Sequence, residues 1–303
     1  MGKSEVEKES FSDYLYNAKE GTVMGRTGGS WAKILGFYCV YYGFLACLFY
    51  FGLSYYQSGL PAVGGAPKIL TRLDQPGIGV YPFYTYRDDR DNTEWPLSTG
   101  DSDANKHYVK HLQEFLAKYD QENAAECEVS AAGQKCKINN FSVAQNLEKT
   151  ASSRLKNKRP YVFLSANKIH NWIPIHTEAS DELSLQANQF HKNSIYFDCY
   201  EVVGTKVVSK NNTRFDIQPV EGSDGYLAAE LFPFTGNQDY QKPFVIYEIV
   251  PKGEGWVAGQ NHQFRCDAIA DNIQGPQKGD FNEQDAQAKN GIGFAKFGFT
   301  YSE

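Results

Sequence analysis

The sequence lacks the short motifs that mark several common enzyme classes. It has no G-x-S-x-G nucleophile elbow, no phosphate-binding P-loop and no G-x-G-x-x-G dinucleotide fingerprint. It also lacks a basic cluster, and a net charge of -6 over 303 residues argues against binding to nucleic acid. The sequence therefore gives no motif for these kinds of catalysis, and its informative features are the positions of hydrophobic and charged residues along the chain.

Long hydrophobic runs are scarce, and a single one is present. Residues 34–56 contain no charged residue over 23 positions. At ~1.5 Å per residue a helix of this length spans roughly 34 Å, enough to cross the core of a bilayer. A cleaved signal peptide is the alternative, but the run and the segment before it are too long and no clear small-x-small cleavage site follows. We therefore predict one transmembrane helix at 34–56, after a polar tail at 1–33.

Basic residues are distributed unequally around this run. Several Lys and Arg residues precede it, whereas none follows it until Lys68. By the positive-inside rule the tail is cytoplasmic and the remainder of the chain is extracellular or lumenal. Residues 57–100 are rich in Gly, Pro and Asp and are expected to form an extracellular stalk, which leaves 101–303 as an extracellular domain.

Four cysteines lie on the predicted outer side. In an oxidising compartment they permit three pairings. We favour Cys127–Cys136, which closes a short loop, and Cys199–Cys266, which joins two strand-like segments and would stabilise the fold by ~4 kcal/mol. Four free thiols would instead require a reducing compartment.

Two N-x-S/T sequons also lie on the predicted outer side. They begin at Asn140 and Asn211, and we expect both to be candidate glycosylation sites.

The outer domain is predicted to be mainly β. Residues 104–119 place apolar side chains at helical spacing, which indicates one amphipathic helix. Short aromatic and β-branched segments follow and are separated by turn residues. Since parallel strands need crossover helices, an antiparallel sheet or sandwich is favoured. The predicted strands are 161–166, 195–203, 226–234, 244–250, 262–270 and 292–301.

Two features leave an enzymatic alternative open. Asp101-Ser102-Asp103 has the D-x-D spacing of a metal site in glycosyltransferases, but it precedes the helix and is more typical of a polar helix start. His107 and His111 are four apart, as in some zinc sites, but no third ligand is evident. We therefore predict no metal, no cofactor and no catalytic residue. A type II lumenal glycosyltransferase and a cell-adhesion ectodomain are the alternatives.

The predicted transmembrane run has an unusual content, since ten of its 23 residues are Tyr or Phe. Tyr41 and Tyr42 lie about 5–6 Å from its midpoint, too deep for the aromatic belt at the headgroups. A hydroxyl at that depth costs a few kcal/mol unless a neighbour bonds it. Tyr38 shares their face, while Gly43 lies on an adjacent stripe of small residues. The two faces predict a partner with several helices, against the alternative of an idle anchor.

Residues 25–49, GRTGGSWAKILGFYCVYYGFLACLF, closely resemble the β subunits of Na,K-ATPase and gastric H,K-ATPase. The similarity continues in the family's order and spans most of the chain. It includes Pro76-Gly77, HYVKHLQEFLAKYDQ (107–121), the Cys127/Cys136 pair, ANKIHNWIP (166–174), LFPF (231–234) and CDAIADNI (266–273).

This resemblance implies a non-catalytic subunit of a P-type cation pump at the plasma membrane. Such a subunit carries an immunoglobulin-like β-sandwich with one helix. It helps the catalytic α subunit to fold, mature and reach the membrane, and it modulates potassium affinity and occlusion. A small single-span regulatory subunit is a further partner to consider.

By the same resemblance, specific residues contact the α subunit. Tyr38, Tyr41 and Tyr42 would pack on its seventh transmembrane helix, and the side near Gly43 would approach its tenth. The family's vertebrate members have six ectodomain cysteines, whereas this chain has four, and Tyr161 stands in the region of a middle-bridge cysteine. An invertebrate-type member is therefore indicated.

Overall fold

The computed structural model divides the chain into two compact units, Met1–Leu60 and Pro61–Glu303. We call the second unit the β domain. The residues that the structure describes are 11–18, 20–60, 76–82, 94–98, 103–119, 121–127, 135–178, 190–204, 206–208, 212–237, 239–273, 290–291 and 293–302.

The first unit contains a small ordered segment before its long helix. Helix α1 (Phe11–Leu15) leads into a three-stranded antiparallel sheet of two-residue strands. The turn between its last two strands is Met24-Gly25, and both residues have positive φ, 53° and 72°. That backbone is typical of a tight two-residue hairpin turn, in which glycine is favoured. These strands are β1 (Tyr16–Asn17), β2 (Thr22–Val23) and β3 (Arg26–Thr27).

The β domain contains two sheets. The strands are β4 (Ile78–Tyr81), β5 (Glu94–Ser98), β6 (Tyr161–Ala166), β7 (Ile195–Val203), β8 (Lys206–Val207), β9 (Phe215–Pro219), β10 (Tyr226–Leu227), β11 (Val245–Pro251), β12 (Asn261–Ile269), β13 (Asn290–Gly291) and β14 (Phe294–Ser302). In the first sheet the strand order is β10-β7-β12-β14-β13, with β8 beside β7 and β5 beside β14. In the second sheet the order is β4-β6-β11-β9.

The two sheets and two helices share one hydrophobic core. Phe215 of β9 contacts Phe264 of β12 edge to face, with ring centroids 5.2 Å apart. The buried Tyr247 hydroxyl donates hydrogen bonds to the carbonyls of Phe197, at 3.2 Å, and Gly225, at 3.1 Å. Because Tyr247 lies on β11 and Phe197 on β7, this side chain ties one sheet to the other.

Helix α3 (Asp103–Leu116), the one helix predicted in this domain, packs on the core through its apolar stripe. Leu112 is fully buried, and Phe115 contacts the rings of Phe163 and Phe244 at 5.1 and 5.4 Å. The Tyr108 hydroxyl donates a hydrogen bond to the Tyr161 carbonyl. The helical spacing therefore correctly predicted both the element and its buried face.

The prediction of a single helix in this domain was wrong, because Phe141–Lys156 forms a second one, α4. Its buried residues recur once per turn, and two of the four are alanines. They are Ala144, Leu147, Ala151 and Leu155. This spacing was the available signal, but the narrow stripe carries little hydrophobicity.

Several strand predictions also need correction. Residues 78–81 and 94–98, assigned to the stalk, are strands of the two sheets. Strand β5 pairs with β14 in parallel, so the domain is mainly but not wholly antiparallel. The predicted strand 226–234 ends at Leu227 and continues as a 3-10 turn, Ala229–Leu231. The short strands β8 and β9 were not predicted.

A buried carboxylate connects α4 to the second sheet. Glu248 on β11 is 4% exposed and accepts hydrogen bonds from Arg154 of α4 at 2.8 Å, Arg159 at 2.9 Å and Gln218 of β9 at 3.1 Å. Burial alone would raise the pKa of Glu248, but the bonds from Gln218 and Arg154 and the charges of both arginines lower it overall. A depressed pKa means that folding favours the ionised carboxylate, so its contribution is lost as pH falls through that pKa.

We therefore expect Glu248→Gln to lower the free energy of unfolding by about 2 kcal/mol near pH 7, because two arginines lose their counter-charge. The difference in unfolding free energy between the variant and the parent chain should narrow as the pH falls through the depressed pKa of Glu248, where the parent's own carboxylate becomes protonated. Urea unfolding of the full chain in detergent at pH 7 and at a series of lower pH values measures this, and Glu254→Gln on an exposed loop is the matched control. An equal loss at every pH would contradict the assignment.

Candidate functional site

The long helix of the first unit, α2 (Gly28–Ser58), begins directly after the small sheet. Thr27 is its N-cap, and its hydroxyl accepts a hydrogen bond from the Ser30 amide at 3.4 Å. One turn further on, the Trp31 indole donates a hydrogen bond to the Val23 carbonyl at 2.9 Å. The GRTGGSW segment thus closes a hairpin, caps a helix and fastens the hairpin to that helix.

Helix α2 is long and apolar enough to cross a membrane, and the described part of the chain holds no second helix of that kind. Its 31 residues extend beyond the predicted 34–56 at both ends and span roughly 46 Å, more than the ~30 Å hydrocarbon core. The chain buries none of its side chains. All of its apolar surface is therefore left for lipid or for another protein.

The predicted aromatic face is a stacked array of rings. Tyr38 stacks on Tyr42 with centroids 5.8 Å apart, and Phe37 stacks on Tyr41 at 6.1 Å. Tyr41 and Tyr42 also meet edge to face at 5.4 Å. The stacking orders the rings on the helix surface, while roughly half of each side chain stays exposed. Such a surface offers a partner a rigid aromatic patch at little cost in side-chain entropy.

The predicted small-residue stripe is open. A Cβ atom placed on Gly43 would meet nothing within 4 Å, and the same holds for Gly36. Cys39 and Cys47 on this side are free and exposed. A second helix could approach the backbone closely here, as small residues allow in membranes.

Within the part of the chain that the structure describes, the enzymatic features of the sequence do not assemble into a site. Asp101 lies outside the described residues, and Asp103 begins α3, where it accepts a bond from Lys106 at 3.0 Å. That hydrogen bond and the charge of Lys106 lower the pKa of Asp103. His111 lies 3.6 Å from Glu114 in an exposed pair. Within the described ranges no three His, Cys, Asp or Glu side chains are arranged to hold a metal.

Both disulfides have the pairing that the sequence favoured. Cys127 is joined to Cys136, and Cys199 to Cys266. Cys199 on β7 and Cys266 on β12 are directly opposite each other, so this bridge joins neighbouring strands of one sheet.

The structure places the Asn140 side chain in a buried hydrogen-bond network, which disfavours its glycosylation. Asn140 is only 4% exposed. Its side-chain amide donates hydrogen bonds to the carbonyls of Asp224 at 3.2 Å and Phe244 at 3.0 Å. Its oxygen accepts from the Asp224 amide at 2.6 Å. A glycan on this nitrogen would have to replace those bonds and enter the core. Asn140 instead holds the loop at 223–225 against the start of α4. Asn211 lies outside the described residues.

Two variants distinguish a glycosylated Asn140 from an Asn140 whose amide only holds the loop at 223–225. Ser142→Ala destroys the sequon but keeps the amide, so the mass of the chain made in eukaryotic secretory cells should change only by the substitution itself. Asn140→Ala should lower the free energy of unfolding by about 2–3 kcal/mol, because it strands buried backbone groups. Intact-mass spectrometry and urea unfolding measure the two effects. Loss of a glycan mass in Ser142→Ala would show that Asn140 is modified after all.

Together these features define a class of protein: a chain with one membrane-spanning candidate helix, an aromatic face left for a partner, and a disulfide-bonded β domain. Comparison with known proteins identifies the family. A family model described as "Sodium / potassium ATPase beta chain" matches residues 2–286. The chain belongs to this family, whose members are non-catalytic accessory subunits of the pump.

Curated relatives agree with that family. "Probable sodium/potassium-transporting ATPase subunit beta-3" of Caenorhabditis briggsae is 24% identical over 290 residues, 90% of this chain and 84% of the relative. "Sodium/potassium-transporting ATPase subunit beta-1" of Drosophila melanogaster is 26% identical over 288 residues, covering 89% and 88%. The beta-2 subunit of Mus musculus is 32% identical over 111 residues, 37% and 36% of the two chains. None of these comparisons supports a glycosyltransferase or an adhesion protein.

Proposed function

We propose that this chain assists the folding, maturation and membrane delivery of a catalytic α subunit of a Na+/K+-transporting P-type ATPase, and that it modulates potassium affinity and occlusion. The observation that carries the proposal is α2, an apolar helix that buries no side chain in its own chain but presents stacked tyrosines. The family to which the chain belongs supplies the partner.

The proposed topology is type II in the plasma membrane, with a cytoplasmic N-terminus. The excess of Lys and Arg before α2 supports this orientation. The two disulfides of the β domain agree with it, because such bonds persist on the oxidising side of a membrane.

The proposed contacts with the α subunit lie on two sides of α2. The face of Tyr38, Tyr41 and Tyr42 packs on one helix of the partner, where another chain can bond the hydroxyls. The stripe near Gly43 lets a second helix approach. By the family resemblance these are the seventh and tenth transmembrane helices of the α subunit. A third side, with Phe44 and Phe51, is left for lipid or for a small single-span regulatory subunit.

An immunoglobulin-like topology is the finer proposal for the β domain. Two packed, mostly antiparallel sheets support it. The position of Cys199–Cys266 within one sheet differs from antibody domains, in which the conserved bridge joins the two sheets. Glycosylation at Asn211 stays a proposal.

Replacing Tyr41 and Tyr42 together by Leu should preserve membrane insertion, since Leu is favourable in a bilayer. It should reduce co-purification of the α subunit about tenfold, because each substitution removes an aromatic contact and a buried hydroxyl bond. Affinity capture of the tagged chain in mild detergent, with quantification of the ~100 kDa partner, measures this. Potassium activation of the captured pump is the second readout.

The control is Phe44→Leu with Phe51→Leu, which also removes two rings from α2. These residues are seven apart on the side of α2 between the tyrosine face and the small-residue stripe, and they belong to neither proposed set of contact residues. Equal losses in the two double variants would show that the aromatic content rather than the tyrosine face matters. Recovery of the parent chain without any large partner would refute the proposed assembly.

A further inference from the structure

Four lysines surround one cavity of the β domain. Lys118, Lys135, Lys168 and Lys242 line a space of about 370 Å3, and among the described residues of its wall Asp239 is the one of opposite charge. We call it the lysine pocket. The lysine pocket is positively charged although the whole chain has a net charge of -6, so the positive charge is a local feature of this surface.

The lysine pocket is built where several elements end. Tyr81 closes β4, Lys118 follows α3, Lys168 follows β6, and Lys242 precedes β11. The Tyr119 hydroxyl donates a hydrogen bond to the Lys242 carbonyl at 2.8 Å, which fixes the backbone there. Lys242 therefore projects from an anchored position.

The ammonium groups of Lys168 and Lys242 contact neutral groups. Lys242 donates to the Asn167 side-chain oxygen at 3.3 Å, and Lys168 to the Tyr240 carbonyl at 3.5 Å. The Lys168 ammonium also lies 5.2 Å from the ring centroid of Phe234. Neither ammonium forms a salt bridge with a carboxylate of the described residues.

The protein environment therefore disfavours charge on Lys242. Burial, and secondly the nearby charge of Lys168, lower the pKa of Lys242 to about 8. A bound anion would stabilise the charged form of Lys242, because it replaces the lost hydration and offsets the repulsion between the two ammonium groups.

We propose that the lysine pocket binds a tetrahedral oxyanion, a phosphate or sulfate group, between Lys168 and Lys242. Lysine ammonium groups bind such groups as mobile point charges with several donors each, and here they converge from different segments. The walls of Tyr81, Tyr119 and Tyr240 exclude water from part of the space and so strengthen the attraction. The inference does not depend on assembly with an α subunit.

The test follows the reactivity of individual lysines in the full chain in detergent. Reductive methylation near pH 7, read by peptide mass spectrometry, reports the neutral fraction of each amine. Inorganic sulfate or phosphate should raise the pKa of Lys242 by about one unit and lower its reaction rate about tenfold. Chloride at the same ionic strength should have little effect. The exposed Lys149 of α4 is the internal control and should not respond to either anion.

Substitution tests the second donor. Lys168→Met should remove most of the protection of Lys242 by sulfate, whereas Lys149→Met should preserve it. The thermal unfolding midpoint of each variant verifies folding. Protection of Lys242 that survives Lys168→Met in full, or that chloride or acetate matches, would overturn the proposal.

A final arm separates the sources of the oxyanion. Protection by dissolved phosphate or sulfate indicates a free ion. Protection only when the full chain is reconstituted into vesicles that contain phosphatidic acid, and not into phosphatidylcholine vesicles, indicates a lipid headgroup. No protection in any arm refutes the site, and it does so without bearing on co-purification of the α subunit.

Discussion

An apolar helix that buries nothing within its own chain must be covered by something else, and this constraint governs the first unit. No side chain of α2 is buried, although a few near its ends, such as Trp31, are partly covered. Lipid can cover most of them, but deep tyrosine hydroxyls require hydrogen-bond acceptors that hydrocarbon does not provide. The stacking of Tyr38 on Tyr42 prepares the rings for a partner before it arrives. A helix of this composition is therefore incomplete by itself, which is the physical basis of an accessory subunit.

In the β domain, by contrast, most of the described polar groups form hydrogen bonds or ion pairs within the domain itself. Glu248 accepts hydrogen bonds from two arginines and a glutamine on three segments. The Tyr247 hydroxyl donates a hydrogen bond from one sheet to the other. Asn140 uses its whole amide to fasten a loop. The lysine pocket departs from this pattern, since the charges of Lys168 and Lys242 have no described carboxylate partner. That contrast is why we assign a ligand to it.

The accuracy of prediction from sequence followed the strength of the local pattern. Strands β6 and β7 were predicted to the residue, because dense aromatic and β-branched segments are bounded by turn residues. Helix α4 was missed, because its buried face is narrow and half alanine. Strand β5 was assigned to a stalk, because its pairing with β14, far along the chain, leaves no local signature. The sequon at Asn140 has the correct motif, but its burial depends on residues more than eighty positions away.

The sequence alone determined the features that depend on local composition or periodicity. These are the membrane-spanning run, the tyrosine face, the buried stripe of α3, the mainly β domain and the family resemblance. Each of them follows from the spacing of hydrophobic residues or from the order of motifs, which the sequence contains directly. Tertiary structure decided what depends on distant segments meeting. It paired β5 with β14, buried the side chain of Asn140, and brought Lys168 and Lys242 to one cavity. The physical reason is that burial and electrostatic environment are properties of the assembled core, and no local pattern records which segments will build it.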